Sequence, residues 1–99
     1  MIASIQGKII QKGVDYLVVN LNGLGIQVFA TKETCETANI GDIKFFHSQL
    51  IVREESLTLY GFESEIEREY FNLLLSVNGV GTRLALSIIS TLSIEAINR

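Results

Sequence analysis

A glycine-containing segment, "VNGVGTRLAL" at residues 77–86, has the residue types and spacing best suited to binding chemistry. Gly79 and Gly81 stand one residue apart between two leucine-rich runs. Glycine permits positive φ and adds no side chain, so backbone N–H groups in the turn and at the start of the next helix can face outward. Those amides and the helix dipole can bind a phosphate oxygen, and Arg83 adds a charge-assisted contact. The segment therefore predicts a phosphate-binding turn.

The longer stretch "LLLSVNGVGTRLALSII" matches the helix-hairpin-helix pattern. In that pattern two helices are joined by Gly-apolar-Gly, with Val80 facing inward and an alanine where the helices cross closely. The pattern predicts contacts with DNA phosphates. A plain helical hairpin with a glycine turn would have the same sequence features, so both interpretations stay open on the motif alone.

A second segment, "VREESLTLYGF", places Glu54 and Glu55 side by side at the predicted tip between two strands. Charged hairpin tips are usually only solvated. If several tips met at a symmetry axis, however, their carboxylates would repel phosphates from that point. The sequence leaves both interpretations open.

The bulk composition limits the class of protein. The 99 residues suffice for one small domain with a helical appendage that shares its core. Hydrophobic residues make up 47%, yet no run approaches the roughly 18 consecutive apolar residues of a membrane helix. The opening "MIASIQGKII" does not resemble a secretory signal. We therefore expect a soluble, cytoplasmic protein with no membrane partner.

The charge of the chain argues against a nucleic-acid partner. The formal net charge is −3, and the eight basic residues are scattered along the chain. A turn that binds phosphate through backbone dipoles needs few lysines, however, and this answers the objection.

Few side chains are available for redox, metal or catalytic chemistry. Cys35 is the only cysteine and His47 the only histidine, which excludes an internal disulfide and makes a Cys/His metal site very improbable. Hairpin-containing glycosylases pair the hairpin with a catalytic carboxylate. Glu95 is the only acidic residue after the hairpin here. We expect no cofactor, no metal and no catalytic residue.

The elements that must position these segments begin with strands. From residue 2 to about residue 62, apolar and polar residues alternate with the period of strands, and Asn22-Gly23 suits a tight hairpin. About five strands result, with a short helix capped by Thr31 between the third and fourth. This order predicts a five-stranded OB-fold barrel. A change of phase near Phe45 and Phe46 predicts a β-bulge or a sharp bend.

The period changes to that of helices at Ser64, which forms a capping box with Glu67. A first helix has Ile66, Tyr70, Phe71 and Leu74 as apolar positions, a second runs from about residue 82 to 90, and a third begins with Ser93 as its cap. No linker composition separates barrel from helices. We therefore expect an OB-fold barrel at residues 1–62 packed against a helical domain at residues 63–99.

These stretches together, with the opening "MI.....G.I" and the internal "V.LNGLGIQV", closely resemble the RuvA family, the bacterial Holliday-junction-binding subunit of a branch-migration complex. The resemblance is collinear over all 99 residues. It implies a homotetramer that holds four-way junction DNA open and nearly flat. It also implies a non-catalytic subunit, because a partner motor ATPase hydrolyses the ATP.

The resemblance assigns roles to individual residues. Glu54 and Glu55 occupy the acidic pin at the tetramer centre, and Arg53 is a DNA-backbone contact near the crossover. The first helix-hairpin-helix, which binds a duplex arm, comprises Asn78, Gly79, Val80, Gly81, Thr82 and Arg83. Thr82 stands where the family often has proline, and Arg83 where lysine is common.

The family continues with a second helix-hairpin-helix and a C-terminal domain that engages the motor. Neither occurs within these 99 residues. We therefore expect a truncated form or fragment that binds junctions weakly and does not recruit the motor.

An interaction module is the alternative to a junction binder. An OB barrel can bind single-stranded nucleic acid or protein through exposed aromatic rings. The candidate rings, most of them expected in the core, are Phe29, Phe45, Phe46, Tyr60 and Phe62.

Overall fold

A computed structural model describes residues 2–97. The elements, in chain order, are β1 (Ser4–Lys12), β2 (Tyr16–Leu21), β3 (Leu24–Phe29), α1 (Lys32–Thr37), β4 (Ile43–Val52), β5 (Leu57–Phe62), α2 (Glu65–Leu75) and α3 (Thr82–Ile97). The strands form a closed barrel in the order β1-β2-β3-β5-β4. The predicted five-stranded, OB-like barrel with a helix between the third and fourth strands is confirmed.

Alternating side chains of the strands build the barrel core. Ile5 and Ile9 of β1 point inward and are buried, as their period of two predicts. Asn22 and Gly23, at φ 55° and 100°, make the tight turn between β2 and β3. The hydroxyl of Thr31 accepts the Thr34 N–H at 3.2 Å and so caps α1, as predicted.

The sequence predicted a bulge or a sharp bend near Phe45 and Phe46, and the bulge is wrong. β4 pairs with β1 without interruption over Ile43–His47. Ile43 and Phe45 face outward and are 62% and 46% exposed, so the apparent phase change comes from apolar side chains on the outer face. The irregular register lies in β1, between Ile9 and Gln11, opposite β2.

α2 begins as predicted, because the Ser64 hydroxyl accepts the Glu67 N–H at 3.2 Å. Its buried side is centred on Phe71, whose ring centroid lies 5.0 Å from those of both Tyr60 and Phe62. Two positions predicted to share this apolar side are instead exposed, namely Ile66 and Tyr70. The side of α2 that carries Phe71 is buried because it packs against the aromatic rings of the barrel. Ile66 and Tyr70 lie on another side of the helix and stay exposed to solvent.

α3 packs the helices onto the barrel. Ala85 and Ile89 are buried in one cluster with Phe71 and the barrel residue Phe62, which confirms that barrel and helices are packed together. The prediction of a separate helix beginning at Ser93 is wrong, because α3 continues to residue 97 and no glycine or proline interrupts it. The predicted helical domain, residues 63–99, ends outside the described residues, and its boundary stays a prediction.

Candidate nucleic-acid interface

The connection between α2 and α3 is a short, hydrogen-bonded turn. The N–H of Val77 donates to Leu74 O at 3.0 Å, and the N–H of Val80 donates to Val77 O at 3.1 Å. Gly79 has φ 88°. A Cβ at Gly79 would meet no atom within 4 Å, so backbone conformation alone requires glycine there. Val80 packs inward against the helical cluster, as predicted.

Gly81 differs from Gly79 in conformation. Its φ is not positive, so the positive φ that glycine permits occurs only at Gly79 of this pair. Its carbonyl accepts the Ala85 N–H at 3.0 Å, which is the first helical bond of α3. A Cβ at Gly81 would also meet nothing within 4 Å. Neither conformation nor internal packing therefore requires glycine at this position.

The first turn of α3 presents backbone donors. Because the Ala85 amide makes the first helical bond, the amides of Thr82, Arg83 and Leu84 have no acceptor within the helix. No acidic side chain occupies this turn. The helix dipole places partial positive charge at the same end. This surface attracts an anion, and a phosphate oxygen suits it chemically.

Arg53 and Arg83 line one groove beside these amides. The groove has a volume of about 600 Å³, and its other lining residues are Gly81, Thr82, Leu84 and Ser87. The sequence placed Arg53 and Arg83 in separate segments, and folding brings them together. Leu84 is 50% exposed here. Ser87 was not predicted, although its position four residues after Arg83 puts both on one helix face.

The acidic tip adjoins this groove. Glu54 and Glu55 form the two-residue end of the β4–β5 hairpin and are both exposed. Arg53 and Ser56 close the hairpin, with the Arg53 N–H donating to Ser56 O at 2.8 Å. Asn78 is exposed in the α2–α3 turn. The predicted site residues are all solvent-accessible at least in part, and Val80 and Thr82 are the partly buried ones.

Comparison with known proteins decides the family. A family model described as the RuvA N terminal domain matches residues 1–61. The chain belongs to the RuvA family. Relatives named Holliday junction branch migration complex subunit RuvA include those of Pseudarthrobacter chlorophenolicus, 43% identical over 98% of this chain, and Chloroflexus aggregans, 47% identical over 92%. The relative from Rickettsia akari is 44% identical over 94% of the chain.

This RuvA-family chain spans about half the length of the curated relatives it matches. The matched regions cover 46% of the Pseudarthrobacter relative and 47% of the Chloroflexus relative. The family model covers the barrel, and the matches to relatives extend through α2 and into α3.

The single cysteine of this RuvA-family chain, Cys35, is buried and does not line the groove. Burial, and secondarily the charge of Asp15, raises the pKa of Cys35 to about 11, so its thiol stays protonated at neutral pH. Among the side chains that the structure describes, those of residues 2–92, no group of His, Cys, Asp and Glu is arranged to hold a metal ion. None of the described helices is long and apolar enough to cross a membrane.

Proposed function

We propose that the chain binds four-way (Holliday) junction DNA as part of a branch migration complex in recombination and repair. The observation that carries this proposal is the groove in which Arg53 and Arg83 stand beside the free amides of α3. Such a groove suits a DNA backbone, because its donors and charges match phosphate oxygens. The relatives are named as Holliday junction proteins, and this supports a four-way junction as the form of DNA that is bound.

In this proposal α2, the turn and α3 act as a helix-hairpin-helix that binds one duplex arm. The positive φ of Gly79 shapes the turn, and the bare Cα of Gly81 lets a phosphate approach the backbone. Thr82 and Arg83 contribute amides, and Arg83 also contributes its guanidinium. Contacts of this kind read the backbone and not the bases, so binding is independent of arm sequence.

We assign the exposed tip a repulsive role. Four chains assembled as a homotetramer would bring their Glu54 and Glu55 carboxylates around one axis, where they repel phosphates and keep the junction open. An exposed apolar side of α2 supports self-association, since monomers rarely leave such patches uncovered. Its members are Ile66, Tyr70 and Leu73.

The chain itself is assigned no catalytic role and no cofactor. A partner motor ATPase would supply the energy for branch migration and, as the resemblance implies, would engage the C-terminal domain of the family. A cytoplasmic location accompanies this proposal.

A binding titration tests the proposal. The chain is titrated against a fluorescent four-way junction and against linear duplexes of the same arm sequences. We expect tighter binding to the junction, strong salt dependence, and weaker binding by Arg53→Gln and Arg83→Gln. Lys8→Gln, which removes one exposed charge from β1 outside the groove, is the control. Equal affinity for junction and linear DNA would contradict the proposal.

The alternative, an OB module that binds through aromatic rings, has little support. Phe46 and Phe62 are buried, and Phe29 and Tyr60 are partly buried with ring centroids 5.9 Å apart. Of the five candidate rings only Phe45 belongs to the exposed class, and it packs edge-on against His47 at 5.0 Å. One ring does not make a stacking platform for successive bases.

A further inference from the structure

A second cleft extends from the arginine groove along α3. It has a volume of about 450 Å³ and lies between α3, the start of α1 and the β1–β2 connection. Its lining residues are Val14, Asp15, Ala30, Lys32, Arg83, Leu86, Ser87, Ser90 and Thr91. Arg83 and Ser87 line both this cleft and the arginine groove, so the two are adjacent.

One side of the cleft is a polar stripe on α3. Arg83, Ser87 and Ser90 follow the spacing i, i+4, i+7, which puts them on one helix face. At about 1.5 Å per residue, the stripe advances roughly 10 Å along the helix axis from Arg83 to Ser90. A cation and hydroxyls on one line are the groups that DNA-binding proteins use to contact phosphates.

Lys32 stands at the far end of this stripe. Its backbone N–H donates to the Ser90 hydroxyl at 3.2 Å, which joins the start of α1 to α3. Its ammonium lies 3.9 Å from Glu36, and the two side chains are 69% and 64% exposed. An exposed pair at that distance is weak and leaves the lysine available to a stronger anion.

We infer that this cleft is a second phosphate contact for the duplex arm, with Lys32 as its cation. The inference rests on the proposed function. In the arrangement we infer, α3 runs along the duplex axis; successive phosphates on one strand advance about 3.4 Å along that axis, so contacts ~10 Å apart are then about three linkages apart. Asp15 also lines the cleft. Its carboxylate repels phosphate and therefore lowers the affinity of this contact.

The inference is tested by combining protein variants that lack one positive charge with DNA junctions that lack one phosphate charge. Junctions carrying one uncharged methylphosphonate linkage at successive positions of one arm are titrated with the parent chain, Arg83→Gln and Lys32→Gln. We expect two sensitive positions about three linkages apart with the parent. Arg83→Gln should lose the position nearer the crossover, and Lys32→Gln the farther one. Lys32→Gln should also weaken binding about threefold and lower the salt slope by about 0.9.

Two further variants separate the possible outcomes. Asp15→Asn should strengthen binding, whereas Lys8→Gln should leave the linkage pattern unchanged. A Lys32→Gln pattern identical to the parent's, with Arg83→Gln still effective, overturns the inference and leaves the proposed function standing. Failure of the parent chain to prefer junctions overturns both.

Discussion

Arg53 and Arg83 line the same groove, although one belongs to a barrel hairpin and the other to the first turn of α3. The next residue after Arg53 is Glu54, at the exposed hairpin end. Surface charge thus changes sign between neighbouring residues. In the proposed function, groups that attract phosphate and groups that repel it lie side by side, and this arrangement would distinguish branched from linear DNA.

Gly79→Ala should strain the turn, and Gly41→Ala is its matched control. Both glycines have positive φ, 88° and 98°, and a Cβ at either would meet nothing within 4 Å. Each substitution should lower the free energy of unfolding by about 1–2 kcal/mol in urea titrations. Only Gly79→Ala should also weaken junction binding in a gel-shift titration. Equal affinities of the two variants for the junction would show that the turn is not part of the binding site.

Gly81→Val should separate binding from folding. The backbone at Gly81 accepts a side chain, and no neighbour obstructs one. The expected cost in unfolding free energy is no more than about 1 kcal/mol, because valine is a poorer helix cap than glycine. Affinity for the junction should fall at least tenfold, since the side chain covers the amides that face phosphate. Parental affinity in the folded variant would refute this role.

Replacing Glu54 and Glu55 by Gln should raise affinity for linear duplex and reduce the preference for junctions. The reason is that two carboxylates no longer repel the backbone beside the groove. Glu69→Gln, on the exposed part of α2, removes a carboxylate elsewhere and serves as the control. Competition between labelled junction and unlabelled duplex measures the preference directly, and an unaltered ratio would exclude the tip from discrimination.

Phe71→Ala should destabilise the whole chain, whereas Tyr70→Ala should not. Phe71 is fully buried between the rings of Tyr60 and Phe62, while Tyr70 is 51% exposed. Loss of the buried ring should cost about 3–5 kcal/mol of unfolding free energy. At protein concentrations low enough to keep the chain monomeric, the exposed substitution should stay within about 0.5 kcal/mol. Urea titrations followed by circular dichroism give both values, and a loss for Phe71→Ala as small as that for Tyr70→Ala would show that packing of α2 does not stabilise the barrel.

Stability should fall between about pH 9 and pH 11 because of Cys35. Burial raises the pKa of this thiol from 9.0 to about 11, so the folded chain keeps a proton that the unfolded chain releases. The unfolded state then binds fewer protons, and the free energy of unfolding declines as pH rises. Below pH 9 the thiol has no effect. Cys35→Ala should show a shallower decline in urea midpoints over this range, and an identical decline would assign it to other groups.

Periodicity and capping predicted the order of elements well. The alternation in β1, the Asn22-Gly23 turn and the Ser64 cap act over a few residues, so sequence alone determines them. The bulge near Phe45 was mispredicted because apolar residues were assumed to face the core. Ile43 and Phe45 are apolar but lie on the outer face of β4. The buried side of α2 is determined by its contacts with the aromatic rings of the barrel. Helical periodicity within α2 does not contain that information.

The candidate site was predicted in parts. The glycines, Arg53 and Arg83 follow from motifs within single segments. The groove that joins the two arginines, and the cleft that reaches Lys32, depend on how α3 lies against the barrel. Those contacts connect distant segments, and the spacing of residues along the chain does not specify them.

The barrel closes through a very short seam. β3 and β5 run parallel and pair only at Val28 with Leu59 and at Phe29 with Tyr60. Parallel pairs are slightly weaker per residue than antiparallel ones. Tyr60 also contacts Phe71, so α2 braces the strand that completes the circle. Amide protons at this seam should exchange with solvent sooner than those of the long antiparallel ladders, and detaching the helices should speed that exchange further.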